Sequence, residues 1–194
     1  PGVGIDCDIY KDVKVDRKKI RASFGISDTD VVCISMGDLI PRKNYGTALK
    51  AIGKCENKNI HYWICGQGPE LDNLKELAQE RNIEDRIHFL GFRTDIKELL
   101  KAADIFLFTT LQEGMPRSMM EAMASGLPCI ASKIRGNVDL LEDGIGGYFV
   151  EVMDNVSIAK KLDELVENSE LRTQMAMGNL ERIKKFDIKE VKKV

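Results

Sequence analysis

The sequence predicts an α/β fold, a parallel sheet of about six strands with helices on both faces. Three observations predict it. Short apolar runs recur, they are continuous rather than alternating, and longer amphipathic segments separate them as far as Val150. A strand that is apolar on both sides is covered on both sides. Strands alternating with helices imply βαβ crossovers of right-handed sense.

The strands are expected at 31–36 (VVCISM), 60–65 (IHYWIC), 86–90 (RIHFL), 104–110 (DIFLFTT), 128–132 (PCIAS) and 147–150 (GYFV). Helical spacing lies between them. Tyr45, Ala48, Leu49 and Ile52 repeat at i, i+3, i+4, i+7, and Leu71, Leu74, Leu77 and Ala78 follow Pro69, which suits a first helical turn. Ile96, Leu99 and Leu100 predict a shorter helix capped by Thr94 or Asp95. Met119, Met120, Ala122 and Met123 predict another, and Val138 with Leu141 a further short one. Beyond Val150 the pattern is all helical, through Ile158, Leu162, Leu165 and Val166, then Leu171, Met175, Leu180 and Ile183, with a break at Asn168-Ser169. No internal repeat or low-complexity tract interrupts it.

Composition bounds the function. The 194 residues are 43% hydrophobic, enough for a sizeable core, and 31% charged. With 29 basic and 31 acidic residues the net charge is -2, which gives no bulk attraction to nucleic acid or to an anionic membrane. His61 and His88 are the only histidines, both in expected strands, and read as core or edge residues rather than metal ligands. The five cysteines, Cys7, Cys33, Cys55, Cys65 and Cys129, are odd in number and form no C-x-x-C pair, as expected of reduced thiols in a cytoplasmic protein. No apolar run approaches a membrane span, and no signal peptide is recognised. The opening Pro1-Gly2-Val3-Gly4 is expected of a fragment or a processed chain.

In sheets of this kind ligands sit at the carboxyl ends of the strands, near a switch in strand order. The loops to inspect are 37–44, 66–69, 91–95, 110–118 and 132–137. Gly37 and Lys43 flank a strand-to-helix loop: the glycine leaves room beside the backbone, and a lysine at a helix start suits a phosphate. A solvated basic turn explains the same residues. Gly66 and Gly68 begin a dinucleotide fingerprint whose third glycine is replaced by Leu71, so NAD binding has weak support and a tight turn serves equally. Glu113 follows a buried strand and Glu121 lies eight residues on, about two turns into the next helix. The helix N-terminus between them offers free amides to a diphosphate, with a carboxylate on each side for sugar hydroxyls. For Glu121 the alternative is a solvated helix face, which the apolar neighbours Met120, Ala122 and Met123 suit poorly. Two D-x-D triplets, Asp6-Cys7-Asp8 and Asp28-Thr29-Asp30, would fit Mn²⁺-dependent sugar transfer, but both lie in polar connectors where aspartates serve turns, and no metal is expected.

These residues resemble a family. EGMPRSMMEAMASGLPCIAS at 113–132 is similar to the signature of retaining glycosyltransferases of the GT-B fold, glycosyltransferase group 1. GDLIPRKN (37–44), ICGQGPE (64–70), HFLGFRTDI (88–96), ADIFLFTT (103–110) and IRGNVDLLEDGIGGYFV (134–150) support it in order and spacing, across essentially the whole chain. The resemblance implies a Rossmann-like domain, the carboxy-terminal donor-binding half of a GT-B enzyme. Residues 1–25 would be a linker, 26–170 the Rossmann-like core, and 171–194 a helical segment returning towards an amino-terminal acceptor domain that is absent here.

It also implies roles. Lys43 would neutralise the donor diphosphate and Glu113 would contact the donor sugar, the two catalytic positions. Gly114, Met115, Pro116, Arg117 and Ser118 would form the loop holding sugar and phosphate. Glu121 would bind ribose, Phe92 and Arg93 would lie beside the base, and Gly37, Asn44, Gly66 and Gly68 would complete the donor site. The family's usual arginine soon after the first glycine is Asp38 here, a departure that touches the two-cation clamp and resembles a bacterial polysaccharide-synthesis subgroup. The expected function is transfer of a sugar from a nucleotide diphosphate sugar, with uridine as the expected base, to a polysaccharide or glycolipid acceptor. No cofactor is expected, and this domain alone is expected to be inactive. The longer protein is expected to be cytoplasmic or peripheral at the inner face of the membrane. A non-catalytic nucleotide-sugar-binding module and a nucleotide-sugar epimerase of the same fold are the alternatives. Intact Lys43, Glu113 and Glu121 argue against the first, and two histidines in strands against the second.

Overall fold

The computed structural model describes residues 4–191. They form a six-stranded parallel sheet, β1 (Val31–Met36), β2 (Ile60–Cys65), β3 (Ile87–Gly91), β4 (Ile105–Phe108), β5 (Cys129–Ser132) and β6 (Gly147–Val150). The spatial order is β3-β2-β1-β4-β5-β6. The chain builds outward from β1 in one direction, then returns to β1 and builds outward in the other. The switch in strand order therefore falls between β1 and β4, whose register pairs Cys33 with Ile105 and Ile34 with Phe106.

Each expected strand is present; the inner strands β1, β4 and β5 are buried throughout because both faces are covered, whereas the edge strands β3 and β6 are partly half-buried. Alternate residues feed two cores. Val32, Ile34, Trp63, Phe106 and Ala131 enter one. Cys33, Tyr62, Ile64, Leu107 and Ile130 enter the other. The second core is closed by α3 (Tyr45–Lys54), α4 (Leu71–Glu80) and α8 (Asn155–Glu167), which bring Leu49, Ile52, Leu74 and Leu162. The first is closed by α5 (Ile96–Ala102) and α6 (Arg117–Ala124), which bring Leu100, Met119 and Met123. The short α7 (Arg135–Leu140) follows β5, and α9 (Ser169–Ile183) follows α8. Asn168 makes that break, its side chain accepting from the Leu171 amide at 2.9 Å as an N-cap. Asp95 occupies the N-cap of α5 without a capping hydrogen bond from its side chain.

Two helices precede the sheet, α1 (Asp8–Lys11) and α2 (Arg17–Ser23), and both are docked on it. Tyr10 and Ile5 lie in the first core. Arg21 is 1% exposed. Its guanidinium pairs with Asp104 and donates to the carbonyls of Ala102 at 2.9 Å and Asp30 at 2.7 Å. Asp104 also pairs with Arg17 and accepts from the Val32 amide at 2.8 Å, so a single carboxylate ties α2 to the sheet. At the other end, α10 (Ile188–Val191) meets the start of the chain: the Ile188 amide donates to Ile5 and the Ile5 amide to Phe186, each at 2.9 Å.

The five thiols are free, and all but Cys7 are buried; burial pushes the Cys65 thiol up to about 12. His61 and His88 face each other across β2 and β3, with His61 Nδ1 3.1 Å from His88 Nε2 and His61 Nε2 3.3 Å from Asp30. Asp28, Asp6 and Asp8 of the two triplets serve surface contacts; Asp28 lies 3.3 Å from Lys18 and Asp8 pairs with Lys189. Among the described residues there is no group of three histidines, cysteines or acids placed to hold a metal. Nor is any described helix long and apolar enough to cross a membrane.

Candidate functional site

The loops that leave β1 and β4 emerge side by side at the switch point, where the sheet opens a crevice. After β1 the backbone turns through a short 3-10 helix, Pro41–Lys43, begun by proline, whose fixed φ is preset for such a turn. Asn44 ends it in the left-handed region at φ 54° and starts α3. The Asn44 side-chain amide donates to the Thr109 carbonyl at 3.1 Å, and the Thr109 hydroxyl returns a bond to the Asn44 carbonyl at 2.9 Å. The Leu111 amide donates to the Arg42 carbonyl at 2.9 Å. These crossed bonds clamp the two loops together.

The clamp sets up an ion cluster. Glu113 Oε1 accepts from Lys43 Nζ at 2.6 Å, Arg42 Nη1 at 3.0 Å and Thr110 Oγ1 at 3.1 Å. The Lys43 and Glu113 side chains are only 15% and 12% exposed, so water screens their pairing less than it would on a surface. Gly37 lies against the Lys43 ammonium, and the Phe108 ring lies 5.4 Å from it.

Beside the cluster opens a cavity of about 700 Å³, lined by Arg42, Gln112, Glu113, Gly114, Met115, Arg135 and Asp139. One wall is α7. A side chain at Gly136 would collide with the Gly114 carbonyl, so a glycine there lets the 113–115 loop lie directly on that helix. Past the loop, Pro116 caps α6, and the Met119 and Met120 amides both turn back to the Pro116 carbonyl at 3.2 Å. The first turn presents the Arg117 and Ser118 amides at the positive end of the helix. Glu121, one turn on, is 3.2 Å from Arg117 and faces the buried Tyr10 of α1; burial and the Glu121 charge push the Tyr10 phenol well above its usual value.

The structure thus brings together Gly37, Lys43, Asn44, Glu113, Gly114 and Met115, with Pro116, Arg117, Ser118 and Glu121 following on α6. Gly66 and Gly68 serve the backbone: a side chain on either would collide with the carbonyl of Gly37 or of Leu39, and the Leu39 amide donates to Gln67 at 2.9 Å. Phe92 and Arg93 lie farther along the strand ends, after β3. Phe92 is 75% exposed. Arg93 makes a two-pronged pair with Asp95 at 2.8 and 2.6 Å, which holds the Asp95 carboxyl below the usual range. Sequence reasoning missed Arg42, Thr110, Arg135, Asp139 and Tyr10. Two signals were present: Arg42 adjoins Lys43 on one turn, and Arg135 and Asp139 are spaced i, i+4.

Residues 16–181 match the family described as glycosyl transferases group 1. A lipopolysaccharide core biosynthesis glycosyltransferase of Rhizobium meliloti, LpsE, is 30% identical over 164 residues, which is 84% of this chain and 46% of that protein. The UDP-Gal:alpha-D-GlcNAc-diphosphoundecaprenol alpha-1,3-galactosyltransferase of Escherichia coli is 35% identical over 155 residues, 76% of this chain and 40% of that protein. The chain spans less than half the length of these curated relatives. A crystal structure of HepE from Anabaena in complex with UDP and glucose superposes with a TM-score of 0.90 and 26% identity, covering 98% of this chain and 53% of that one. The matched span holds the whole sheet and the paired loops after β1 and β4, and by that match the chain belongs to the glycosyl transferases group 1 family.

Proposed function

We propose that this chain is the donor-binding half of an enzyme that moves a sugar from a UDP-sugar to a glycan or lipid-linked glycan acceptor. The observation that carries it is the Lys43–Glu113 pair, a cation and an acid held 2.6 Å apart on adjacent loops at the switch point. Lys43 takes the diphosphate as charge develops on it, helped by the Arg117 and Ser118 amides of α6. Glu113 uses Oε2, which accepts no hydrogen bond within the described residues, for hydroxyls of the transferred sugar. Glu121 takes the ribose. The positive charge comes from side chains and a helix end, so donor binding does not require a divalent cation. HepE's complex with UDP and the names of the curated relatives support the donor class, and those names also support a bacterial surface-glycan acceptor. Retention of the anomeric configuration rests on the resemblance of the 113–132 signature. An amino-terminal domain in the same polypeptide supplies the acceptor contacts, and the protein works in the cytoplasm, at or near the membrane face.

The test separates the two acids. Glu121→Ala should weaken UDP binding roughly 10- to 150-fold in calorimetry, the value of one charged hydrogen bond. Glu113→Gln should leave free UDP bound at least as well and weaken only the intact UDP-sugar. Equal losses of UDP in both variants, at unchanged melting temperature, would overturn the division of roles.

A further inference from the structure

We propose that Arg42 is the second cation of the donor diphosphate site, acting beside Lys43, and that Glu113 holds both cations in place until the donor arrives. The inference rests on the donor-site reading above and adds a residue to it. Arg42 and Lys43 are consecutive, yet the tight turn at Pro41–Lys43 sends both heads to the same atom, Glu113 Oε1. Each lies within 3.0 Å of it, so the two cations are close enough to grip neighbouring phosphate groups of one diphosphate. Two cations on one carboxylate leave a surplus positive charge at the mouth of the cavity, where Arg42 is a lining residue. A diphosphate matches that surplus; a neutral sugar does not.

The two cations differ in a useful way. Lys43 is enclosed, whereas the Arg42 side chain is 45% exposed. Arg42 Nη1 also donates to the Gln112 carbonyl at 2.6 Å, which keeps the guanidinium at the rim while the rest of its planar fork is available for two phosphate oxygens. Neighbouring charges do not substitute for it. Asp38, on the same loop, is an exposed acid. Arg135, on the opposite wall, makes no ion pair with Glu113 among the described residues. Donor entry then exchanges partners without creating a buried unpaired charge: the cations pass to the diphosphate and Glu113 passes to sugar hydroxyls.

UDP and UMP, titrated calorimetrically into the 194-residue chain, test this, because only UDP carries the second phosphate. Arg42→Ala should weaken UDP by roughly 10-fold and leave UMP unchanged, and Arg42→Lys, which keeps the charge, should recover part of the loss. Melting temperature is followed for each variant. If wild type binds UDP and Arg42→Ala binds it equally well, the second-cation assignment is overturned and the donor site stands. If UDP and UMP weaken together with a lowered melting temperature, and Arg42→Lys does the same, Arg42 is only a brace between loops and the assignment is again overturned. If wild type binds neither nucleotide while Arg42→Ala is equally folded, the donor-site reading itself fails.

Discussion

Lys43 and Glu113 are paired at the candidate site, and the proposed donor role makes both testable. Lys43→Ala should weaken UDP binding roughly 10- to 150-fold, since it removes a charge-assisted bond in a poorly screened place. Single residues also govern stability far from the site. Asp104 compensates a guanidinium that is 1% exposed. Asp104→Ala should therefore cost about 3–5 kcal/mol, the usual result of leaving one partner of a buried pair alone, and urea titration would measure it. His88 gives a pH signature. Burial first, and then the nearby His61, push its imidazole down to about 4. The unfolded chain binds that proton near pH 6.5 and the folded chain only near 4, so stability falls as pH drops through that window. Melting curves at pH 7 and pH 5 should show the drop, and His88→Leu should flatten it. Glu113, Lys43 and Glu121 stood out as candidates from their neighbours in the chain. Arg42 was overlooked because its partner is 71 positions away. The same holds for Arg21 and Asp104, whose burial depends on a contact between elements that no local pattern records.

At the scale of elements, the strands were legible because strands covered on both faces are mostly apolar in continuous runs, as β1, β2, β4 and β5 are. The helices at 45–54, 71–80, 155–167 and 169–183 were legible because each buries a stripe at helical spacing. Helices α1 and α2 were not, since they are short and anchored by Tyr10 and Arg21 rather than by an aliphatic stripe. The turn at Pro41–Lys43 was read as a loop running into a helix, and what matters is that it is a turn of its own, with Asn44 as the joint. The contact between α7 and the 113–115 loop is the element-level feature most open to attack. Gly136→Ala drives a methyl group into the Gly114 carbonyl and must displace one side of the cavity. UDP-sugar binding should weaken more than UDP binding, because Gly114 lies on the side assigned to the sugar. Calorimetry with both ligands, beside a melting curve, checks that order.

For the whole molecule, the strand order decides where chemistry can happen. The strand order, not the strand direction, reverses between β1 and β4, which opens one crevice, and both loops with paired charges leave from its two sides. The rest of the chain supports that crevice with two cores, one on each face, and with terminal segments that meet at Ile5 and Ile188. On the donor-half reading proposed above, this chain binds the donor and the acceptor contacts lie outside it. The 194-residue chain should therefore bind nucleotide without transferring sugar, and measurable turnover by this chain alone would refute the half-enzyme reading. The most direct measurement is a calorimetric titration of the chain with UDP, with and without chelator. Saturable one-to-one binding that chelator leaves unchanged is expected. Absence of binding at millimolar UDP would contradict the donor-site reading, as would binding that chelator abolishes and Mn²⁺ restores.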